Sequence, residues 1–261
     1  MPKFAANLTM QFNEVSFLER FEAAAKAGFT GVEYLFPYDY NKEDLVEQLR
    51  RHNLVQVLHN LPAGNWAAGE RGIACLPDRT DEFQESVGIA VEYARALGCK
   101  TVNCLAGKPP QGADRRKVRL TFVSNLRFAA AETSKAGIRL VTEPINNRVD
   151  MPGFYLTNTA QALSIIKQVG HPNLGLQYDI YHMQVMEGNL ARTMEAHREL
   201  IWHVQIADNP GRNEPGTGEI NYPFLFGFLD KIGYNGWIGC EYKPAKATVE
   251  GLRWFEPYRG K

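Results

Sequence analysis

The sequence predicts an α/β protein, a single (β/α)8 TIM barrel, and three observations lead to this prediction. The chain has 261 residues, which is the usual size of one such barrel. Amphipathic helices, glycines and short apolar strands alternate along the chain. The strands are too apolar to leave one face in water, as expected of a parallel sheet that helices cover. No low-complexity linker divides the chain, so we expect one domain over residues 1–261.

The alternation of helix, glycine and strand sets the number of units. Glycine suits the left-handed position that ends a helix, and it follows predicted helices at Gly28, Gly98, Gly137, Gly170 and Gly233. Counting the apolar runs gives eight strands, which is the barrel number. They are predicted near residues 4–8, 32–35, 55–60, 101–105, 138–143, 174–179, 201–207 and 237–242.

Two helix starts have the spacing of a capping box. Ser16 is followed by Glu19, and Asn158 is followed by Gln161. The helix that Ser16 would begin has an apolar stripe, formed by Phe17, Leu18, Phe21, Ala24 and Ala25.

A doubly wound open sheet is the alternative architecture. It is disfavoured because no glycine-rich phosphate-binding motif follows the first strand. The candidate ligands described next also come from too many strand ends for such a sheet.

Four oxygen-bearing side chains end four of the apolar runs: Glu143, Asp179, Gln205 and Glu241. A lone carboxylate after a strand is usually a helix cap or a solvated loop residue. In a barrel, however, successive strands end at one mouth, where crowded carboxylates repel each other unless a cation neutralises them. Oxygen donors favour Mg²⁺ or Mn²⁺ over Zn²⁺. The sequence therefore predicts a divalent metal held by these four residues.

Histidines and cations near strand ends are candidates for substrate binding. His182 follows Asp179 by three residues and could bind a substrate oxygen, and His59 ends the third strand. A structural hydrogen bond is the commoner role of any single histidine. A substrate carboxylate would need a cation from a strand-to-helix loop, and the candidates there are Arg212 first, then Arg71 and Lys108.

Two strand-to-helix loops are longer than usual, at residues 60–80 and 208–222. Long loops at a catalytic mouth are candidate lids, although surface decoration explains either loop taken alone equally well. Trp66 in the first loop could form a wall of the pocket or pack on another subunit, which leaves a homo-oligomer open.

The composition limits the partners. Lys plus Arg and Asp plus Glu both number 29, so no overall field attracts nucleic acid or an anionic membrane, and we expect neither as a partner. The four cysteines lack metal-site spacing and are predicted to be buried thiols. Residues 1–7 lack the apolar segment of a signal peptide, and no run approaches the length of a membrane span. We expect a soluble cytoplasmic protein that acts on a small molecule.

Several longer motifs together resemble the bacterial hydroxypyruvate isomerases, within the xylose-isomerase-like TIM barrels. The resemblance covers residues 4–258 and implies catalytic glutamates at Glu143 and Glu241. It also implies a metal held by these two with Asp179 and Gln205, although the related 3-epimerases have His at the position of Gln205. The motifs are residues 58–64 (LHNLPAG), 66–72 (WAAGERG), 143–146 (EPIN), 178–184 (YDIYHMQ), 216–222 (GTGEINY) and 236–244 (GWIGCEYKP).

The implied reaction interconverts hydroxypyruvate and 2-hydroxy-3-oxopropanoate (tartronate semialdehyde), with a small hydroxy or oxo acid as substrate. The nearest alternative is a 2-oxo-tetronate isomerase or a ketose 3-epimerase acting on a longer sugar or sugar acid. A DNA-repair nuclease on the same barrel would be expected to have a histidine-rich zinc site and a basic groove. A catalytically silent binding protein would be expected to lack Glu143 or Glu241, and both are present.

Overall fold

The computed structural model describes residues 2–259, in which eight parallel strands close into a barrel in the order of the chain. The fold class predicted from the sequence is therefore confirmed. Every predicted strand is present, and most end one or two residues earlier than predicted. The strands are β1 (Lys3–Asn7), β2 (Gly31–Glu33), β3 (Val55–Asn60), β4 (Thr101–Cys104), β5 (Arg139–Thr142), β6 (Leu174–Asp179), β7 (Ile201–Gln205) and β8 (Trp237–Cys240).

Helices follow the strands and cover the outside of the barrel. Two helices lie between β6 and β7. Among the described residues, no helix is both long enough and apolar enough to cross a membrane. The helices are α1 (Glu19–Lys26), α2 (Lys42–Arg51), α3 (Thr80–Ala96), α4 (Arg115–Lys135), α5 (Thr159–Val169), α6 (Ile180–Met186), α7 (Leu190–His197) and α8 (Tyr222–Lys231).

The last unit has a 3₁₀ helix, Thr248–Tyr258, in place of an α-helix after β8. Its Phe255 ring stacks on Phe29 with the ring centroids 4.2 Å apart. Phe4 of β1 makes an edge contact with the same Phe255 at 5.9 Å. These aromatic contacts join the end of the described chain to its beginning.

The two predicted capping boxes form only in part. Asn158 caps α5, because its side chain accepts from the backbone N–H of Gln161 at 2.9 Å. Helix α1 begins at Glu19, two residues later than a cap at Ser16 predicts, and the Glu19 carboxylate accepts from the backbone N–H and the hydroxyl of Ser16. The Ser16 hydroxyl therefore bonds to the glutamate and does not cap the helix itself.

Two tryptophan rings fill the end of the barrel opposite the mouth. Trp202 lies where a Cβ on Gly175 would be, and Trp237 lies where a Cβ on Gly31 would be. Only glycine at those two positions leaves room for the rings. Both rings pack against an apolar cluster inside the barrel, formed by Ala5, Val57, Leu58 and Val141.

Above this apolar layer the barrel contains a polar one centred on Glu33 of β2. The Glu33 carboxylate is fully buried and contacts His203 Nε2 at 2.8 Å and the Asn7 side-chain amide at 3.0 Å. A Cβ on Gly239 would lie 2.3 Å from both carboxylate oxygens. The glycine in β8 therefore makes the space in which this carboxylate lies, directly below the mouth.

Candidate active site

The four predicted ligand positions all lie at the mouth of the barrel. Asp179 and Gln205 are the last residues of β6 and β7, and Glu143 and Glu241 lie just after β5 and β8. All four side chains are buried, with at most 7% of their surface exposed. Parallel strands deliver them to one end, because each strand ends at the same rim.

The two carboxylate oxygens of Asp179 differ in their contacts. Its Oδ1 accepts from the backbone N–H of His182 at 3.1 Å and so caps helix α6. Its Oδ2 is buried without a hydrogen-bond partner. A buried carboxylate oxygen without a partner is costly unless a cation or proton meets it.

The two glutamates are held in a strongly unfavourable environment for negative charge. Burial raises the pKa of Glu143 well above its ordinary value, and the charges of Glu241 and Asp179 raise it further. Burial also raises the pKa of Glu241, to about 8, although Arg212 opposes that shift. A divalent cation would favour the ionised carboxylates, so the donor set fits a metal ion of the kind that oxygen ligands prefer.

One ligand atom each from Glu143, Asp179 and His182 can be chosen so that all three lie within 4.8 Å of one another, and this group could hold a metal. This group differs from the predicted set, because it contains His182 and lacks both Gln205 and Glu241. Glu143 is further held by Asn103, whose side-chain amide donates to the Glu143 carboxylate at 3.0 Å.

The Gln205 amide is oriented by two buried side chains that the sequence analysis missed. Its Nε2 donates to Glu33 at 2.7 Å, and its Oε1 accepts from Gln177 at 2.6 Å. The Gln205 oxygen therefore faces Gln177 of β6, which lies two residues before Asp179. A charged residue at the end of the otherwise apolar strand β2 was the one available signal for Glu33.

Arg212 lies beside the acidic group. One guanidinium nitrogen donates to Glu241 and another to Asp150, both at 2.9 Å, while the buried Nε has no partner. Its backbone has φ +54°, a left-handed conformation that non-glycine residues seldom adopt. Such an outlier persists only where surrounding contacts hold it.

The loop that carries Arg212, residues 208–222, is fixed by Asp208. The buried Asp208 carboxylate accepts backbone N–H groups from Asn209, Gly216, Gly218 and Ile220 at 2.9–3.0 Å. This loop is therefore held in place at its base, which makes it a poor candidate for the lid that its length suggested.

Both predicted histidines are buried at the mouth. Burial lowers the pKa of His59 and of His182 to about 4 in each case, so both rings are neutral near pH 7. His59 Nδ1 lies 3.1 Å from the Asn60 carbonyl and 3.3 Å from the Tyr38 hydroxyl, and its Nε2 is buried without a partner. His182 Nδ1 lies 2.8 Å from the side-chain nitrogen of Asn146.

The weaker cation candidates are placed differently. Arg71 lies over the Trp66 ring at 4.0 Å and donates to the carbonyls of Trp66 and Glu70. Lys108 lies against Gly153, between the loops after β4 and β5. Among residues 2–259, neither cation forms an ion pair with the acidic group at the mouth.

The first long loop, residues 60–80, is exposed only in part. Ile73, Ala74 and Cys75 are fully or almost fully buried, and Gly72 packs so closely on the Leu105 carbonyl that a Cβ would lie 2.4 Å from it. The longest exposed stretch is residues 64–71. Within it, the ring centroids of Trp66 and Phe36 lie 5.0 Å apart.

Comparison with known proteins gives consistent relationships. A family model for the xylose isomerase-like TIM barrel matches residues 21–258. The chain is 57% identical to hydroxypyruvate isomerase of Escherichia coli (strain K12), covering 99% of this chain and 100% of that protein. It is 47% identical to 2-oxo-tetronate isomerase of Cupriavidus necator, with both chains covered completely.

Solved structures show the same fold. A structure described as AP endonuclease, family 2, from Brucella melitensis has a TM-score of 0.97 and 49% identity, covering 99% of this chain and 100% of that one. A D-allulose 3-epimerase from Methylomonas sp. has a TM-score of 0.77 at 22% identity, covering 97% and 87%, and this likeness concerns the fold alone. The chain belongs to the xylose isomerase-like TIM barrel family, among the isomerases related to hydroxypyruvate isomerase and 2-oxo-tetronate isomerase.

Proposed function

We propose that this enzyme interconverts hydroxypyruvate and 2-hydroxy-3-oxopropanoate. The observation that carries the proposal is the pair of buried carboxylates, Glu143 and Glu241, that the ends of β5 and β8 bring to the same mouth, where they can act as base and acid. The 57% identity to a hydroxypyruvate isomerase supports this choice of substrate.

In the proposed reaction, one glutamate removes a proton from C3 of hydroxypyruvate. The electrons of the broken C–H bond form an enediolate across C2 and C3. The hydroxyl proton on O3 moves to O2, and a proton returned to C2 gives the aldehyde at C3. Glu143 and Glu241 are the proposed base and acid, on opposite sides of the substrate carbons. No redox cofactor is needed, because the substrate is oxidised at one carbon and reduced at the next.

The residues that would hold a divalent metal are Glu143, Asp179, Gln205 and Glu241, and their oxygen donors favour Mg²⁺ or Mn²⁺. The unpartnered Asp179 oxygen supports this assignment. When bound, such a cation stabilises negative charge on substrate oxygens as a Lewis acid.

Arg212 is the proposed partner of the substrate carboxylate. It is the cation in contact with the acidic group, and its Nε is a buried donor without a partner. His182 and His59 are proposed to bind substrate oxygens. Arg71 and Lys108 remain weaker proposals, because the first lies on Trp66 and the second beside Gly153.

The alternative of a longer oxo acid has specific support, since the chain is 47% identical to a 2-oxo-tetronate isomerase. The same two glutamates would serve that reaction. The nuclease alternative has less support at the site. Residues 2–259 contain one group of three or more clustered ligands, which has a single histidine, and the net charge of the whole chain is zero.

The remaining parts of the proposal concern location and partners. We propose a cytoplasmic enzyme, because its four cysteines are buried free thiols of the kind that reducing compartments preserve. Its proposed partner is a small oxo acid, without nucleic acid or membrane.

Proton NMR of hydroxypyruvate tests the proposal directly. With enzyme and Mg²⁺ or Mn²⁺, we expect the aldehyde proton of 2-hydroxy-3-oxopropanoate to appear. A parallel series with longer 2-oxo acids separates the two isomerases. Absence of the aldehyde with metal shown bound by calorimetry would contradict the proposal, and faster turnover of the longer acids would favour the alternative.

A further inference from the structure

The side chain of Asn146 is fixed in one orientation by its own turn. Asn146 lies in the loop after β5, and its Oδ1 accepts the backbone N–H groups of Val149 and Asp150, both at 3.0 Å. Backbone N–H groups can only donate, so the atom that they meet must be the amide oxygen. The usual ambiguity between the oxygen and nitrogen of an asparagine is therefore resolved here by the contacts.

The nitrogen of this amide then has two acceptors for its two hydrogens. Nδ2 lies 2.7 Å from Asp150 Oδ2 and 2.8 Å from His182 Nδ1. Because an amide NH₂ has no lone pair to offer, His182 Nδ1 must accept. A neutral imidazole that accepts at Nδ1 carries its hydrogen on Nε2.

We infer that Asn146 is a positioning residue that fixes His182 as the Nε2–H tautomer, so that the ring presents a donor at the mouth. His182 Nε2 lies 3.8 Å from the unpartnered Oδ2 of Asp179. A histidine binds a metal through a ring nitrogen that has a free lone pair. His182 is therefore excluded as a metal ligand, although its ring lies within 4.8 Å of the Glu143 and Asp179 oxygens.

The donor has a use in the proposed reaction. An enediolate gains negative charge on its oxygens, and an N–H aimed at such an oxygen stabilises it, whereas a lone pair would repel it. This role rests on the proposed function. The tautomer does not, because it follows from the contacts of Asn146 alone.

Histidine ring nitrogens can be observed directly by NMR. In the metal-free, full-length protein labelled with ¹⁵N-histidine, the His182 ring should have a protonated Nε2 and a bare Nδ1. Its signals are identified among those of the other histidines by their loss in His182→Gln. A protonated Nδ1 in the wild type would overturn the inference without any further variant. Addition of Mg²⁺ should leave the Nε2 hydrogen in place, and its loss on Mg²⁺ addition would make His182 a ligand.

Two variants test the part that Asn146 plays. Asn146→Ala removes the donor, so the His182 signals should shift towards a mixture of the two tautomers. Tyr181→Phe is the matched control, because it removes another donor to Asp150 Oδ2, at 2.8 Å, and leaves the Asn146 contact intact. Its His182 signals should stay as in the wild type. Unchanged signals in Asn146→Ala would remove Asn146 from the role.

Kinetics separate the two claims. Removal of a donor to a developing oxyanion typically costs about a hundred- to a thousand-fold in kcat. Asn146→Ala leaves the His182 donor in place but frees its tautomer, so we expect a smaller fall in kcat than this, with a still smaller change in KM. A correct tautomer in an enzyme that leaves hydroxypyruvate unchanged would contradict the proposed function only. Turnover of hydroxypyruvate with Nδ1 protonated would contradict the tautomer only.

Discussion

At the scale of single residues, the two glutamates are expected to move the proton as well as to hold a metal. Glu143→Gln and Glu241→Gln keep an oxygen donor but lose the base. We expect turnover to fall by about a hundred- to ten-thousand-fold, the usual contribution of general acid–base catalysis. Activity should be measured at saturating Mn²⁺, with metal binding followed by calorimetry. Near-wild-type turnover of either variant with metal bound would remove that residue from the chemistry.

Arg212 is expected to distinguish acids from neutral sugars. Loss of a charge-assisted hydrogen bond costs roughly 1.5–3 kcal/mol, so Arg212→Ala should weaken binding of carboxylate substrates by about 10- to 150-fold. Neutral ketoses should be affected far less. Arg71→Ala is a comparison, since Arg71 lies on Trp66 and away from the acidic group. An equal effect of Arg212→Ala on acids and ketoses would assign Arg212 to the scaffold.

The positions of the proposed ligands could be predicted from sequence because each ends an apolar run. Their supporting residues could not. Glu33 contacts Gln205 across 172 positions in the chain, and Asn103 contacts Glu143 across 40. Glu33 and Gln205 come together only when the barrel closes, and Asn103 and Glu143 come together when β4 pairs with β5. Nothing local in the sequence marks either pair. Asn146 is different, because an asparagine bonding to N–H groups three and four residues on is a local pattern.

At the scale of elements, residues 64–71 are expected to close over the substrate. Residues 72–75 of the same loop are anchored by burial, whereas residues 64–71 are largely exposed and can move at lower cost. Hydrogen exchange should slow in residues 64–71 when a substrate analogue binds, and should change little in residues 72–76. Unchanged exchange at saturation would show that this segment is not a lid.

Asp208 is expected to stabilise the loop that carries Arg212. Asp208→Ala leaves four backbone N–H groups without their acceptor. The N–H of Ile220 is buried, and an unmet buried group costs about 1–3 kcal/mol. We expect a clear drop in the thermal midpoint and a weaker affinity for acid substrates. Asp78→Ala, at an exposed carboxylate in the other long loop, is the control that should do neither. Unaltered stability of Asp208→Ala would contradict the fixed-loop description.

The elements themselves were largely predictable, and the exceptions have physical causes. All eight strands were located because continuous apolar runs between glycines mark buried parallel strands. The start of α1 was wrong, because the Ser16 hydroxyl bonds to the Glu19 carboxylate and leaves the helix to begin at Glu19. The 3₁₀ helix at Thr248–Tyr258 contains Pro257, and proline is unfavourable inside an α-helix. The stacking of Phe255 on Phe29 that holds this segment is a long-range contact, which the local sequence does not mark.

For the whole molecule, the raised pKa of Glu241 links stability to pH. A carboxyl whose pKa rises from 4.5 to about 8 on folding binds its proton more tightly in the folded state. Its contribution is therefore fully present below pH 4.5 and is lost as the pH rises to about 8. Metal-free protein should melt at progressively lower temperature across that window, by roughly 2–4 °C per kcal/mol lost. Thermal melts in chelator should show the slope, and saturating Mg²⁺ should flatten it. A metal-free midpoint that rises from pH 5 to 8 would contradict the assignment.

The tryptophan rings that fill the end of the barrel opposite the mouth leave the mouth as the route into the site. Trp202 and Trp237 occupy the space that Gly175 and Gly31 leave, so within residues 2–259 water reaches the glutamates from the mouth side. When residues 64–71 cover that side, a proton abstracted from the substrate has little time to exchange with solvent before it is returned. The fraction of product that retains the substrate's own hydrogen in deuterium oxide would then report how long residues 64–71 keep the mouth closed during each turnover.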